Sequence, residues 1–495
     1  MSSKLISAAS AALAVWLAWQ SRHWPLVHDA PLFHYIAWLL DRGVMPYRDL
    51  VDMNWPGTYL VHLAVLHTVG PGDLAWRGFD LAWLVASGAL LFAYLRPLAG
   101  AGAGAAGGLL FTVYHLAGGS WLLGQRDFLL CVFLLAGALG VARFAEGGGA
   151  MGSLAWGGLA LGAGASIKPQ AVLYAAVCVA LAALAARPAG RPAWVAAGVL
   201  AAGVTAVPAA LFAWLAWQGA LEPFATLFTG YVMPLYSRVA RVSPLEGLSW
   251  HAHAWQILTL LAALTALGVV ATRRRGRPVR QALVLAGIAY GWAHYWLQGK
   301  GWEYHLYPLF FFLCAGAALA LAPVDATAWR VPALGRAVRP AVAVLLFAPV
   351  LALLGVRGAD AAHAGWIDAK MTRIARLTRD LGAVVPPGAP VQVLDVTAGG
   401  IHAALRLGLP PATRFMYDFH FFHHVTDPRI RAMRAELVAG LAGGRAAAVV
   451  VMEDGWPVVG YQRLHDFPAL EDVLARDYVL VVEGDGYRIH ARRRA

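Results

Sequence analysis

Charge is what this sequence has little of. Only 13% of its 495 residues are Asp, Glu, Lys or Arg, while 60% are hydrophobic. That balance excludes a soluble domain, because the apolar runs exceed what one core buries. Lysine occurs only at positions 4, 168, 300 and 370, and asparagine only at 54. Arginine carries the remaining positive charge, as high-GC coding would give, so Asn54, Lys168 and Lys300 stand out as positions where a substitute would not serve. Cysteine is scarce as well: Cys131, Cys178 and Cys314 all fall in apolar runs, where a lone thiol acts as a small hydrophobe, and no disulfide framework is implied. Several catalytic signatures are missing, namely Walker A, His-Glu-x-x-His and Gly-x-Ser-x-Gly. The single Gly-x-Gly-x-x-Gly, at Gly102, Gly104 and Gly107, lies inside an apolar run with no strand before it. Small-residue helix packing explains it better.

What the chain does have is spans. A helix crosses the hydrocarbon with about 20 apolar residues, and eleven such runs are predicted near 4–20, 77–95, 99–117, 126–144, 151–167, 169–186, 193–216, 253–272, 281–298, 304–323 and 337–356. The first is preceded by Lys4 and followed by Ser21-Arg22-His23-Trp24 with no small-residue cleavage pattern, so it reads as an anchor. With the N-terminus inside, the inner side collects Lys4, Arg96, Arg143, Arg187, Arg191, the Arg273 to Arg280 cluster, Arg330, Arg336 and Arg339 against Glu146 and Asp325, as the positive-inside rule asks. The net charge of +12 is then mostly topology and does not argue for nucleic acid. The expected setting is a bacterial inner membrane, multi-pass, with a cytoplasmic N-terminus.

Past 356 both charge signs appear evenly. Runs 391–396 and 446–452 read as strands, 428–441 as a helix, and 478–482 with 487–491 as a hairpin around Gly484-Asp485-Gly486. The expected organisation is an α-helical polytopic membrane domain over 1–356, with a first outer loop at 21–76, followed by a small α/β periplasmic domain over 357–495.

The first loop carries two amphipathic pieces. One runs from Asp29-Ala30-Pro31 to Asp41-Arg42-Gly43, with proline in its first turn and glycine past its end. The other, Pro56 to Gly70, is apolar but too short to span, which suits an interfacial helix. Both begin at polar clusters, His28-Asp29 and Asp52-Met53-Asn54. Asp29 and Asn54 are therefore either plain N-caps, worth about 1 kcal/mol each, or parts of an anion-binding face. Elsewhere on the same side, Gln125-Arg126-Asp127 opens a span, Lys168-Pro169 sits between two short runs, and Lys300 lies between two glycines ahead of Trp302-Glu303-Tyr304-His305. Arg126 either snorkels beside a capping aspartate, or steers Asp29 or binds a phosphate, and adjacent Arg126 and Asp127 need separate partners. A lysine flanked by glycines suits a phosphate approached by backbone amides. His420, His423 and His424 lack companion ligands and read as surface histidines.

The layout resembles the GT-C glycosyltransferases, specifically the membrane enzymes related to protein O-mannosyltransferases and to the lipid A aminoarabinose transferase. The residues that carry the resemblance are His28 through Tyr35, Pro46-Tyr47-Arg48-Asp49, Asp52 through Tyr59, Gln125-Arg126-Asp127, Lys168-Pro169 and Lys300 through His305. It implies a transferase that moves a sugar, with inversion, from a polyprenyl phosphate to a hydroxyl on a glycolipid, polysaccharide or protein. It also implies Asp29 as catalytic base, His28, Tyr47, Asp49, Asp52, Asn54 and Glu303 toward acceptor or sugar, and Arg126, Lys168, Lys300 and His305 toward the lipid phosphate. No cofactor is assigned, and His28 stands where several relatives have a second carboxylate, which leaves a divalent metal possible without a ligand set. The rival reading is a carrier or flippase for a lipid-linked sugar.

Overall fold

The computed structural model describes residues 2–323 and 332–493; Asp325 and Arg330, counted in the charge reading, lie outside the described residues. In chain order the helices are α1 (Ser2–Gln20), α2 (Asp29–Leu40), α3 (Pro56–Thr68), α4 (Asp73–Ala99), α5 (Ala101–Ala117), α6 (Arg126–Glu146), α7 (Met151–Ile167), α8 (Ala171–Ala186) and α9 (Ala193–Trp217). There follow α10 (Leu221–Leu227), α11 (Pro244–Ser249), α12 (Ala252–Thr272), α13 (Pro278–Gln298), α14 (Tyr307–Ala318), α15 (Pro332–Ala362), α16 (Gly365–Val384), α17 (Gly400–Leu407), α18 (Pro428–Ala442) and α19 (Pro468–Asp477). Four strands, β1 (Val391–Leu394), β2 (Ala448–Met452), β3 (Tyr478–Gly484) and β4 (Tyr487–Arg492), complete the chain.

Each expected span lies on helix. Among the described residues six helical stretches are long and apolar enough to cross a membrane, and three shorter apolar helices, 101–117, 151–167 and 171–186, accompany them. The protein is a multi-pass membrane protein. Its helix ends follow local chemistry: α4 carries Asp73 in its first turn and Arg96 in its last, in the sense its dipole favours. Helix α13 starts on Pro278 and stops where Gly299 turns left-handed at φ 60°.

The chain forms two compact units that interleave in sequence: residues 1–24, 77–211 and 242–363 make the first, and 25–76, 212–241 and 364–495 the second. This differs from a division at 356. The cause is burial: Leu32, Phe33, Ile36 and Leu39 of α2 share one hydrophobic core with Leu377, Val391, Val393 and Ile401, so the first loop folds with the tail domain.

In the first unit, glycines let helices approach closely. A Cβ on Gly108 of α5 would lie 2.6 Å from the carbonyl oxygen of Gly88 on α4, and one on Gly140 of α6 would lie 2.4 Å from the Ser153 carbonyl on α7. The Gly102, Gly104 and Gly107 run behaves likewise, with a Cβ on Gly107 meeting Leu95 at 2.6 Å, so it is a packing face. In the second unit the sheet order is β1-β2-β4-β3, with β1 parallel to β2 and β4 antiparallel to both its neighbours. β1 and β2 are wholly buried, as continuous Val-rich runs require.

Gly108→Ala should therefore lower the melting temperature of the purified protein, at a cost of about 1–3 kcal/mol for overpacking. Gly198→Ala, where an added Cβ meets nothing within 4 Å, should be neutral or stabilising by up to about 1 kcal/mol. Thermal unfolding in detergent separates the two; equal effects would contradict the packing account.

Candidate active site

One end of the helical unit is built from buried charge. Asp127, in the first turn of α6, is fully buried. Its Oδ2 lies 3.0 Å from Lys168 Nζ, just past α7, and its Oδ1 lies 2.5 Å from His294 Nε2 on α13. With Nε2 carrying the proton, the other ring nitrogen of His294 accepts from the Tyr290 hydroxyl at 3.2 Å. The His305 ring stands 6.4 Å from that of His294. Three helices are thus pinned to one carboxylate.

Two further buried carboxylates repeat the pattern. Glu303 Oε1 lies 2.5 Å from Arg357 on α15 and 3.3 Å from His253 on α12. Asp80 Oδ2 takes Arg77 at 2.5 Å and His115 Nε2 at 3.1 Å, and His115 Nδ1 lies 2.7 Å from the Tyr307 hydroxyl. Arg77 also donates to the carbonyl oxygen and hydroxyl of Ser21, at 3.0 and 2.5 Å. A carboxylate in a low-dielectric interior persists only with such partners.

Of the residues singled out from the sequence, Lys168 enters this cluster directly, His305 borders it beside His294, Arg126 opens α6 beside Asp127, and Lys300 is 5% exposed in the turn after α13. Gly299 and Gly301, on either side of it, have φ of 60° and 67°, a region glycine enters without strain. Sequence reasoning passed over Asp80, His115, His253, His294 and Arg357 as site members. The available signal was that all five are ionisable residues, four of them inside runs read as spans and Arg357 at the mouth of one, and such positions are functional candidates by default.

In the second unit the first loop is a scaffold. Asp52 is fully buried; its Oδ1 accepts from the Asn54 amide at 2.7 Å and from the Tyr59 hydroxyl, and its Oδ2 from the Tyr417 hydroxyl at 2.7 Å. Burial pushes its carboxyl above the usual range, against the hydrogen bonds from Tyr59 and Tyr417. Tyr47, at φ 71°, donates to the Asn54 carbonyl at 2.5 Å. Asp49 accepts from the Met45 amide at 2.8 Å and pairs with Arg48 at 2.7 Å. These residues hold the loop to itself and to residue 417.

Asp29 is placed differently. It is the first residue of α2, while His28 before it is the cap, and Trp55 caps α3. Neither Asp29 nor Asn54 is an N-cap, a correction to the capping alternative. His28 has φ 57° and ψ −120° without being glycine, a conformation costing about 1–3 kcal/mol and common at functional sites. Burial, then the nearby Lys370 charge, holds its imidazole well below the usual histidine value. Lys370 donates to the Thr397 carbonyl and feels Asp29 as an opposite charge.

One tail feature also departs from expectation. His420 is fully buried and His423 is 8% exposed, so they are not surface histidines: the Tyr231 hydroxyl sits 2.5 Å from His420 Nδ1 and 2.9 Å from His423 Nε2. The loop from β1 to α17 has the shape of a phosphate cradle, but the Asp395 carboxylate fills it, accepting from the amides of Ala398, Gly399, Gly400 and Ile401 at 2.7–3.3 Å. Among the described residues no group of three or more His, Cys, Asp or Glu is arranged to hold a metal ion.

No protein-family model and no curated protein matches the chain. Solved structures do. ArnT from Cupriavidus metallidurans bound to undecaprenyl phosphate matches with a TM-score of 0.59 at 14% identity, over 97% of each chain. Its apo state gives 0.57 at 15%, again over 97% of each chain. The chain shares the fold of these ArnT structures. The Archaeoglobus fulgidus oligosaccharyltransferase tethered with an acceptor peptide shares it, with a TM-score of 0.51 at 11% identity, over 99% of this chain and 74% of that one. At these identities the likeness is one of fold, and function has to be argued from the residues.

Two outcomes follow. Asp127→Ala should lower stability by about 3–5 kcal/mol by stranding a buried lysine, and Asp127→Ala with Lys168→Met should recover part of that loss; additive losses in a thermal-unfolding cycle would refute the pairing. His34 on α2, buried and edge-on to the His62 and Trp76 rings, has its imidazole lowered to about 4 by burial. The neutral ring is the folded form, so this stability is present above pH 6.5 and lost as pH falls through about 4, on the order of 3 kcal/mol. His34→Leu should flatten the melting curve against pH over that window.

Proposed function

We propose that this protein is an inverting glycosyltransferase that passes a sugar from a polyprenyl phosphate to an acceptor hydroxyl on a glycolipid, polysaccharide or protein, at the outer face of a bacterial inner membrane. The observation that carries the reading is the buried Asp127, Lys168 and His294 cluster, with Arg126, in a chain of GT-C fold. The ArnT structure with undecaprenyl phosphate supports a polyprenyl phosphate as donor.

In the reaction the acceptor oxygen forms a bond to the anomeric carbon while the bond from that carbon to the phosphate oxygen breaks, and polyprenyl phosphate departs with the electron pair. Charge grows on the phosphate, so the protein needs cations fixed before the reaction. Arg126, Lys168 and Lys300 supply them, and His305 a donor. Asp127 holds Lys168 in place and leaves it no reorganisation to make. The acceptor proton goes to Asp29, the proposed general base, a role worth about 10² to 10⁴ in rate. Its place in the first turn of α2, directly after the strained His28, favours Asp29 among the loop carboxylates. Glu303 is held by Arg357 and His253 and shapes the cation cluster.

Asp29→Asn should lower turnover about 10² to 10⁴-fold while leaving the melting temperature and undecaprenyl phosphate binding at wild-type values, measured with purified protein and polyprenyl-linked sugars. Turnover like wild type would remove Asp29 as base. Movement of labelled lipid-sugar across vesicles without sugar transfer would replace the transferase reading by a carrier.

A further inference from the structure

Within the second unit lies a cleft of about 340 Å³ in which, of the residues assigned above, Tyr47 takes part. Three arginines reach it from separate segments: Arg48 from the first loop, Arg414 from the turn before Phe415, and Arg429 from the start of α18. Each guanidinium is anchored along one edge. Arg48 pairs with Asp49 and donates to the Gln218 carbonyl at 2.8 Å; Arg414 pairs with Glu436 at 2.6 Å; Arg429 pairs with Asp427 at 3.1 Å and donates to the Gly230 carbonyl. A guanidinium has five N–H donors, and these contacts use three, two and three of them. The side chains remain 39–48% exposed. The cleft is edged by donors already fixed in direction.

The other wall is mixed. Glu222 offers a carboxylate that accepts from the Thr226 hydroxyl at 2.8 Å, and Val51, Pro223, Leu227 and Met433 are apolar. Tyr231 forms part of the lining, and its hydroxyl is fixed by His420 and His423. Asp49, Glu436 and Asp427 offset the three arginines, and Glu222 adds one more negative charge, so the site offers an anion no net attraction. Planar arginine and carboxylate edges suit pairs of neighbouring hydroxyls, and apolar side chains suit the C–H face of a pyranose. The volume falls at the lower end for small-molecule clefts, about 300–1,000 Å³, enough for a mono- or disaccharide.

We infer that this cleft binds a neutral saccharide, with the guanidinium edges and Glu222 on ring hydroxyls and Met433 and Leu227 against the sugar face. That the bound sugar is the acceptor, making the acceptor a glycan, rests on the transferase reading; the binding does not.

The test is saturation-transfer NMR and calorimetry on the full chain in nanodiscs with cellobiose, maltose and chitobiose, beside glucose 6-phosphate and a serine-containing peptide. At least one neutral disaccharide should bind saturably, with Kd in the millimolar range or below. Glu222→Ala and Met433→Trp, which fills the cleft, should each weaken it at least tenfold at unchanged melting temperature. Asp29→Asn should bind as wild type does, so loss of transfer and loss of cleft binding are read separately. Absence of saturable binding by all three disaccharides, tighter binding of the phosphosugar or the peptide, or affinity unchanged in both cleft variants would each overturn the inference.

Discussion

The helical unit depends on a carboxylate with nowhere else to go. Asp127 lies in the first turn of a helix made mostly of leucine, phenylalanine and small residues, and it is entirely shut off from solvent. An ionised carboxyl so placed costs several kcal/mol unless cations and donors surround it. The cost is met by drawing Lys168 and His294 to it, which fixes where α7 ends and how α13 lies against α6. Glu303 and Asp80 repeat the arrangement with an arginine and a histidine each. The three carboxylates organise the helix ends before any ligand is considered, and an anionic substrate would meet cations already held in direction.

In the first loop, acidic residues that look alike in sequence divide by what they touch. Asp52 is consumed by an amide and two tyrosines, and Asp49 by its own turn and Arg48. Asp29 follows a histidine held in a backbone conformation that histidine does not favour. Strain of that sort persists only where surrounding structure fixes it, and the packing of α2 into the core shared with α17 and the sheet supplies that constraint.

Hydropathy alone was enough to put helix on the predicted apolar runs, although three of those helices, 101–117, 151–167 and 171–186, are shorter than the six long enough to cross a membrane, and the alternation near the C-terminus was enough for the hairpin. Pairings were not legible in the same way. His294 and Asp127 are 167 residues apart, and Tyr231 and His420 are 189 apart; helical periodicity says which face a residue occupies but not which helix it meets. The short run around His420 looked exposed because polar residues near phenylalanines have no visible partner until the segment around Tyr231 is folded beside them. The glycines flanking Lys300 were readable as backbone freedom, and their left-handed φ values agree. The interleaving of the two units was hidden because nothing in the composition of α2 says that its apolar stripe is buried by residues beyond 370.

The distribution of polarity inside the helical unit bears on transfer against transport. A carrier needs polar groups available along a route between the two ends of its helices. Here the buried hydroxyls of Ser87 and Thr265, well inside their helices, turn back onto the carbonyls of Trp83 and Leu261 in the same helices, so their hydrogen bonds are spent locally. Among the described residues a further ion group, Glu146 with Arg277 and Arg280, is closed on itself, and Arg280 is further tied to the Tyr94 carbonyl. Polar chemistry is concentrated where Asp127, Glu303 and Asp80 lie. An arrangement that holds a charged headgroup at one end while its apolar tail stays in lipid suits a reaction at that end better than passage through the bundle.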